Sequence, residues 1–356
     1  MQADPFLGVL LHATGGLAAA SFYIPYKRVK QWQWENYWLA GGVFSWVLAP
    51  WAFALLIVPE TLSILAETPL KTLFWMYLFG VMWGIGGLTF GLTMRYLGIA
   101  LGYAIALGLC ALFGTLMPPL FEGRLPEVAH TTGGQVLLAG VVLCLVGISL
   151  SGQAGMRKEH ELTDEQKKAS VEEFHFWKGL AVAILAGVMS ASMSYGIAAG
   201  KPLGETAIAL GTPALWQNLP VLVVVLLGGF TTNFLWCLVQ MLRKRTLRDY
   251  VAGSNGAPRG SLGANYLFCA LAGVTWYLQF FFYSMGTTKM GPFDFSSWTL
   301  HMASIIIFST LWGLALREWR GVSILTRVWI ASGLAVLILS TVMIGYGNKL
   351  AVPSGG

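Results

Sequence analysis

The sequence predicts an all-α polytopic membrane protein, with ten transmembrane helices arranged as two inverted five-helix repeats. Three observations carry this. The 356 residues are 56% hydrophobic and only 11% charged, against about 25% charged in an average soluble domain. Apolar runs long enough to cross a bilayer, about 20 residues each, recur along the whole chain. Short motifs in the first half return, in the same order, in the second.

The apolar runs fall at 6–26, 38–58, 73–95, 99–119, 133–153, 176–199, 213–240, 264–288, 293–316 and 323–346. They are spans 1 to 10 below. Most are apolar all round, so amphipathicity does not orient them. The chain opens MQADP, with an acid and no basic stretch, so the first run is expected to stay as span 1. The 43 glycines suit close approach of membrane helices. Cys110, Cys144, Cys237 and Cys269 lie inside apolar runs without metal or redox spacing and read as small core residues.

Seventeen of the 22 lysines and arginines follow spans 1, 3, 5, 7 and 9, Arg95 among them. The positive-inside rule puts that face in the cytoplasm and both termini outside. Membrane sidedness accounts for the formal charge of +6, and no nucleic-acid partner is implied. Trp32, Trp34 and Trp38 beside the first basic cluster read as interface anchors.

The repeat shows in Gly80-Val81-Met82-Trp83 against Gly273-Val274-Thr275-Trp276, and in Gly15 and Tyr23 against Gly187 and Tyr195. A unit with an odd number of spans inserts its second copy upside down. The expected organisation is an N-terminal repeat over 1–153, a charged cytoplasmic linker over 154–175 and a C-terminal repeat over 176–356. In inverted-repeat transporters the substrate site lies near mid-membrane between the halves.

Ionisable groups inside a bilayer are costly, so their positions are informative. Asp294, Ser297, Trp298 and His301 share one helical face at the start of span 9. His301 sits about 10 Å deeper than Asp294. A structural reading makes Asp294 a first-turn acid on the helix dipole and His301 a hydrogen-bonded core residue. The functional reading makes one of them the proton carrier, which suits an imidazole with its reference pKa of about 6.5. His12 in span 1 is a further proton-site candidate, more simply read as a satisfied core residue.

In span 8, Trp276, Gln279 and Tyr283 form one stripe. A buried amide must find partners, and rings beside amides and hydroxyls are how a sugar is held. Trp83, the repeat mate of Trp276, is the expected opposite wall. Gln217 and Asn218 precede Pro220, where a loosened helix frees polar groups for a ligand or for a neighbouring helix. Lys27 with Glu35, and Lys201 with Glu205, occupy equivalent places in the two repeats and are gate candidates; ordinary interface charges are the simpler reading.

WGIGGLTFGLTMRYLG at 83–98, WYLQFFFYSMG at 276–286, DFSSWTLHM at 294–302, YIPYKRVKQWQWE at 23–35 and AAGKPLGE at 198–205 closely resemble the L-rhamnose–proton symporter family of the drug/metabolite transporter superfamily. The similarity runs across nearly the whole chain. It implies ten helices in two inverted repeats, alternating access, and uptake of L-rhamnose with a proton across the bacterial inner membrane. The chain departs from the family pattern at the Gln217-Asn218 pair, in the linker and in the loop at 242–262. The superfamily's usual cytoplasmic termini run opposite to the charge count.

The expected function is therefore symport of L-rhamnose or a related deoxysugar with a proton, and no cofactor. The alternatives are a metabolite exporter or exchanger and a sugar sensor that does not translocate. An intramembrane enzyme is disfavoured, since no His-Glu-x-x-His, Gly-x-Ser-x-Gly or metal-ligand cluster occurs. Composition leaves monomer and homodimer open.

Overall fold

A computed structural model describes residues 3–97, 99–161, 176–252 and 261–352. Most of the expected linker, and Arg259 in the loop after span 7, lie outside the described residues, as does the side chain of Arg95. The described chain is helical without strands. Ten helical segments have the length and hydropathy of membrane spans: Pro5–Tyr26, Trp34–Ile57, Leu70–Thr93, Ala104–Phe121, Thr132–Lys158, Trp177–Ala209, Ala214–Lys244, Ser261–Thr287, Gly291–Ala315 and Ile324–Ala351. They match the expected spans one for one.

Local chemistry explains where helices start and break. Asp4 caps span 1 by accepting from the Leu7 amide at 3.1 Å, with Pro5 in the first turn. Span 2 carries a π-turn over Phe44–Leu48 immediately before Pro50, because proline has no N–H to continue the ladder. Span 6 is interrupted at Gly200, and a second helix, Lys201–Ala209, runs on from it. Span 7 starts from a 3-10 turn, Ala214–Trp216. Span 9 starts from another, Gly291–Ser296, in which Phe293 leaves helical geometry and Gly291 takes φ +69°.

Span 3 packs on spans 6 and 7, and span 8 packs on spans 1 and 2. Span 6 also packs on span 4, span 1 on span 9, and span 5 on span 10. Adding or subtracting five converts each of these contacts into another of the set, and maps the span 5–span 10 contact onto itself. The echoed glycines mark the exchange. A Cβ on Gly80 would run into the Val225 carbonyl of span 7, and one on Gly273 into the Gly41 carbonyl of span 2.

Both ends of the described chain lie on the charge-poor face. The Asp4 amide donates to the Lys289 carbonyl at 3.0 Å. On the basic face Glu161, at the end of the helix of span 5, accepts from the Ser323 amide at 2.8 Å and the Thr326 hydroxyl at 2.6 Å, so it braces the Ser323 cap of span 10. Hydrogen bonds from Ser323, then Thr326, hold its carboxyl below the usual range. The brace therefore persists at pH values that protonate an ordinary carboxylate, and is lost only as pH falls through the lowered value.

Gly80→Ala and Gly273→Ala should each destabilise the bundle by about 1–3 kcal/mol through overpacking. Gly87→Ala, where the added carbon meets nothing within 4 Å, should be neutral. Thermal unfolding in detergent of the three variants checks this.

Candidate functional site

The helix breaks bring polar side chains together at the charge-poor end. A cavity of about 250 Å³ opens there between spans 4, 6, 7, 8 and 9. Tyr283, Ser194 and Gly114 line it from the long helices. Gln217 and Asn218 line it from the start of span 7, and Glu122, Lys201, Glu205 and Asp294 are the charged residues around it. The break at Gly200 sets Lys201 at the start of a new helix. Its ammonium lies 3.3 Å from the Asp294 carboxylate and 3.9 Å from Glu122. Arg124 pairs with Glu122 at 2.9 Å and donates to the Pro292 carbonyl at 2.6 Å, which ties the end of span 4 to the turn that carries Asp294. Asn218 donates to the Thr287 hydroxyl at 3.2 Å and the Ser284 carbonyl at 3.3 Å, which fixes the orientation of its amide.

Behind the cavity wall lies an aromatic and histidine layer. The Tyr283 ring contacts His12 at 5.3 Å, His301 at 5.2 Å and the edge of Trp298 at 5.5 Å between centroids. Gly286 leaves room for the His12 ring against the backbone of span 8. Both histidines are fully buried, and none of their ring nitrogens has a hydrogen-bond partner among the described residues. Buried polar atoms are nearly always paired, and leaving one unpaired costs about 1–3 kcal/mol. Trp298 donates to the Cys110 carbonyl at 3.1 Å, and Thr115 and Thr299 share a hydrogen bond at 2.6 Å, so span 9 is anchored on span 4. The Ser297 hydroxyl is fully buried and unpartnered among the described residues.

The basic end is closed. Trp83 and Trp276 do not face each other across a gap; their rings touch, 5.5 Å apart. Trp276 also meets the edges of Trp46 and Phe22. Polar ties seal this end. Trp38 donates to Asn233 at 3.0 Å, Asn36 donates to the Thr246 carbonyl at 3.0 Å, and Lys30 and Asn265 exchange two hydrogen bonds. Burial pushes the Tyr250 phenol above its ordinary value, so it stays a donor, here to the Asn36 carbonyl at 2.9 Å.

Six expected site residues therefore meet at one cavity: Lys201, Glu205, Gln217, Asn218, Tyr283 and Asp294. His12, His301, Ser297 and Trp298 stand outside its lining. Trp83, Trp276 and Gln279 do not line it either. Seven residues separate Trp276 from Tyr283, about 10 Å of helix, so one stripe reaches from the cavity into the closed end. The gate candidates pair differently from expectation. Lys27 reaches Glu318 at 3.9 Å with both side chains exposed, and Glu35 pairs with Lys244 at 2.9 Å. Each lysine reaches across to another helix because the loop between Lys27 and Glu35 carries them apart, and because the Lys201 side chain lies over the cavity rather than along its own helix. Sequence reasoning passed over Glu122 and Ser194. The signals were an acid just past the Pro118-Pro119 pair at the end of span 4, and a serine beside the echoed Tyr195.

A ten-span bundle with a polar cavity open at one end, aromatic closure at the other and buried titratable groups between defines a membrane transporter. A family model for the L-rhamnose-proton symport protein (RhaT) matches residues 1–350, and the chain belongs to that family. L-rhamnose-proton symporters of Salmonella dublin and Salmonella enteritidis PT4 are each 38% identical to it over 342 residues, covering 96% of this chain and 97% of theirs. The Salmonella paratyphi B symporter is 37% identical over the same length.

Tyr283→Phe keeps the ring packing against both histidines and removes only the hydroxyl. It should leave the melting temperature nearly unchanged and weaken ligand binding roughly threefold to tenfold, the range of one hydrogen bond. Calorimetric titration beside a thermal melt separates the two effects.

Proposed function

We propose that this protein is a secondary transporter that moves L-rhamnose, or a related deoxysugar, together with a proton by alternating access. One observation carries the reading. A polar cavity sized for a small ligand is open at one face and sealed at the other, and Tyr283 on its wall is backed by His12 and His301, both buried without hydrogen-bond partners among the described residues. Family membership favours uptake over the exporter and sensor readings.

The basic face is cytoplasmic by the positive-inside rule. The cavity then opens to the periplasm, both termini are periplasmic, and the membrane is the bacterial inner membrane. The two five-helix halves, 1–153 and 176–356, are inverted repeats joined by the cytoplasmic segment 154–175. The exchange of helix contacts and the meeting of Trp83 with Trp276 support this.

Gln217, Asn218 and Tyr283 supply amide and phenol groups for the sugar hydroxyls. Ser297 and Trp298 support that wall from behind. Trp83, Trp276 and Gln279 line the path once the cytoplasmic end opens. Lys201 pairs with Asp294 at the mouth, and Glu205 stands beside them on the rim. Protonation of Asp294 neutralises the carboxylate and releases Lys201. The mouth then closes without burying a charged acid, which would be costly. Tyr283 packs between the cavity and His301 and His12, the buried titratable groups that are the candidates for carrying the proton further inward. Coupling requires that sugar and proton each favour the same state. A proton crossing 100 mV adds about 2.3 kcal/mol.

The test is reconstitution in liposomes with a pH dye in the lumen. External L-rhamnose should acidify the lumen with the wild type. Asp294→Asn should abolish acidification while sugar still binds, and His301→Ala should reduce it. Acidification by both variants at the wild-type rate removes these residues from the proton path and leaves His12 as the candidate. No proton movement by the wild type with any deoxysugar overturns the symport reading.

A further inference from the structure

The start of span 2 reads Trp34-Glu35-Asn36, and the start of span 7 reads Trp216-Gln217-Asn218. Spans 2 and 7 are exchanged by the five-span shift, so the two triplets occupy equivalent places at opposite ends of the bundle. They differ in one residue, glutamate for glutamine. At the open end Gln217 and Asn218 line the cavity. At the closed end Asn36 is fully buried and Glu35 is 1% exposed. One Glu35 oxygen accepts from the Lys244 ammonium at 2.9 Å; the other, Oε1, is buried without a partner among the described residues. Lys244 is itself half-exposed at the end of span 7. The equivalent place at the open end holds a neutral amide, so no such charge pair forms there.

We propose that Glu35 is the positioning residue of the cytoplasmic gate. Its attraction to Lys244 holds the start of span 2 against the end of span 7. When the bundle switches, Glu35 and Asn36 line the inward cavity as Gln217 and Asn218 line the outward one. The inference rests on the alternating-access reading. A buried carboxylate held by one half-exposed lysine is costly to leave unpaired, so the pair favours the state closed to the cytoplasm. Glu35→Gln gives both ends the same neutral triplet and removes that bias.

Two native cysteines report on the gate. Cys269 packs with Tyr26, Trp32 and Ala40, and Cys237 packs with Leu39 and Met241, beside the start of span 2. Both are fully buried. In a background with Cys110→Ala and Cys144→Ala, a membrane-impermeant maleimide is supplied at the cytoplasmic face of inside-out vesicles. Labelling should be slow in that background and about tenfold faster with Glu35→Gln or Lys244→Met, the direction in which loss of the bias shifts a two-state population. The charge swap Glu35→Lys with Lys244→Glu should return it towards the parent rate, which a misfolded chain would not do. Glu318→Gln, which breaks only the exposed pair with Lys27, should leave the rate unchanged. Parent-like labelling in both single variants, or a charge swap that labels as fast as they do, overturns the inference. Labelling needs no sugar, so failure here is distinct from failure of sugar-driven proton uptake by the wild type.

Discussion

A helix in lipid must satisfy its own backbone, because the hydrocarbon offers no hydrogen bonds. Polar function therefore gathers where helices break, at places shielded by other helices. The interruption at Gly200, the turn before Asn218 and the turn at Gly291–Ser296 all border one cavity. Each break presents a polar residue, Lys201, Gln217 or Asp294, that a continuous helix could not place at that rim. The capping and proline chemistry of three separate spans thus converges on one site.

Close packing carries the rest. Gly80 and Gly273 let spans 3 and 8 lie on the backbones of spans 7 and 2. This brings Trp83 and Trp276 into contact on the central line of the bundle. The contact is aromatic, and it lies between the polar cavity and the basic end. The same helices extend to both ends, an arrangement that the proposed alternating access would use.

The two ends differ in chemistry. The open end has a half-exposed lysine shared by two partly exposed acids, Glu122 and Asp294. The closed end has a buried carboxylate paired with Lys244 and a set of hydrogen bonds from amide and phenol groups. Exposed pairs in high dielectric are weak. A buried, partly unsatisfied carboxylate depends much more on its partner. That contrast makes the open end the easier of the two to rearrange.

The sequence alone determined the number and limits of the spans, because lipid thickness sets a length and composition that few other structures share. It also determined the charge asymmetry, the polar face from Asp294 to His301, and the echoes between halves. Tertiary structure alone decided which polar residues meet. The spans are apolar nearly all round, so nothing in their pattern sets their rotation or their neighbours. Lys244 finds Glu35 across 209 residues, and Lys201 turns to Asp294 rather than to Glu205 on its own helix. Only packed glycines and broken helices bring those groups within reach.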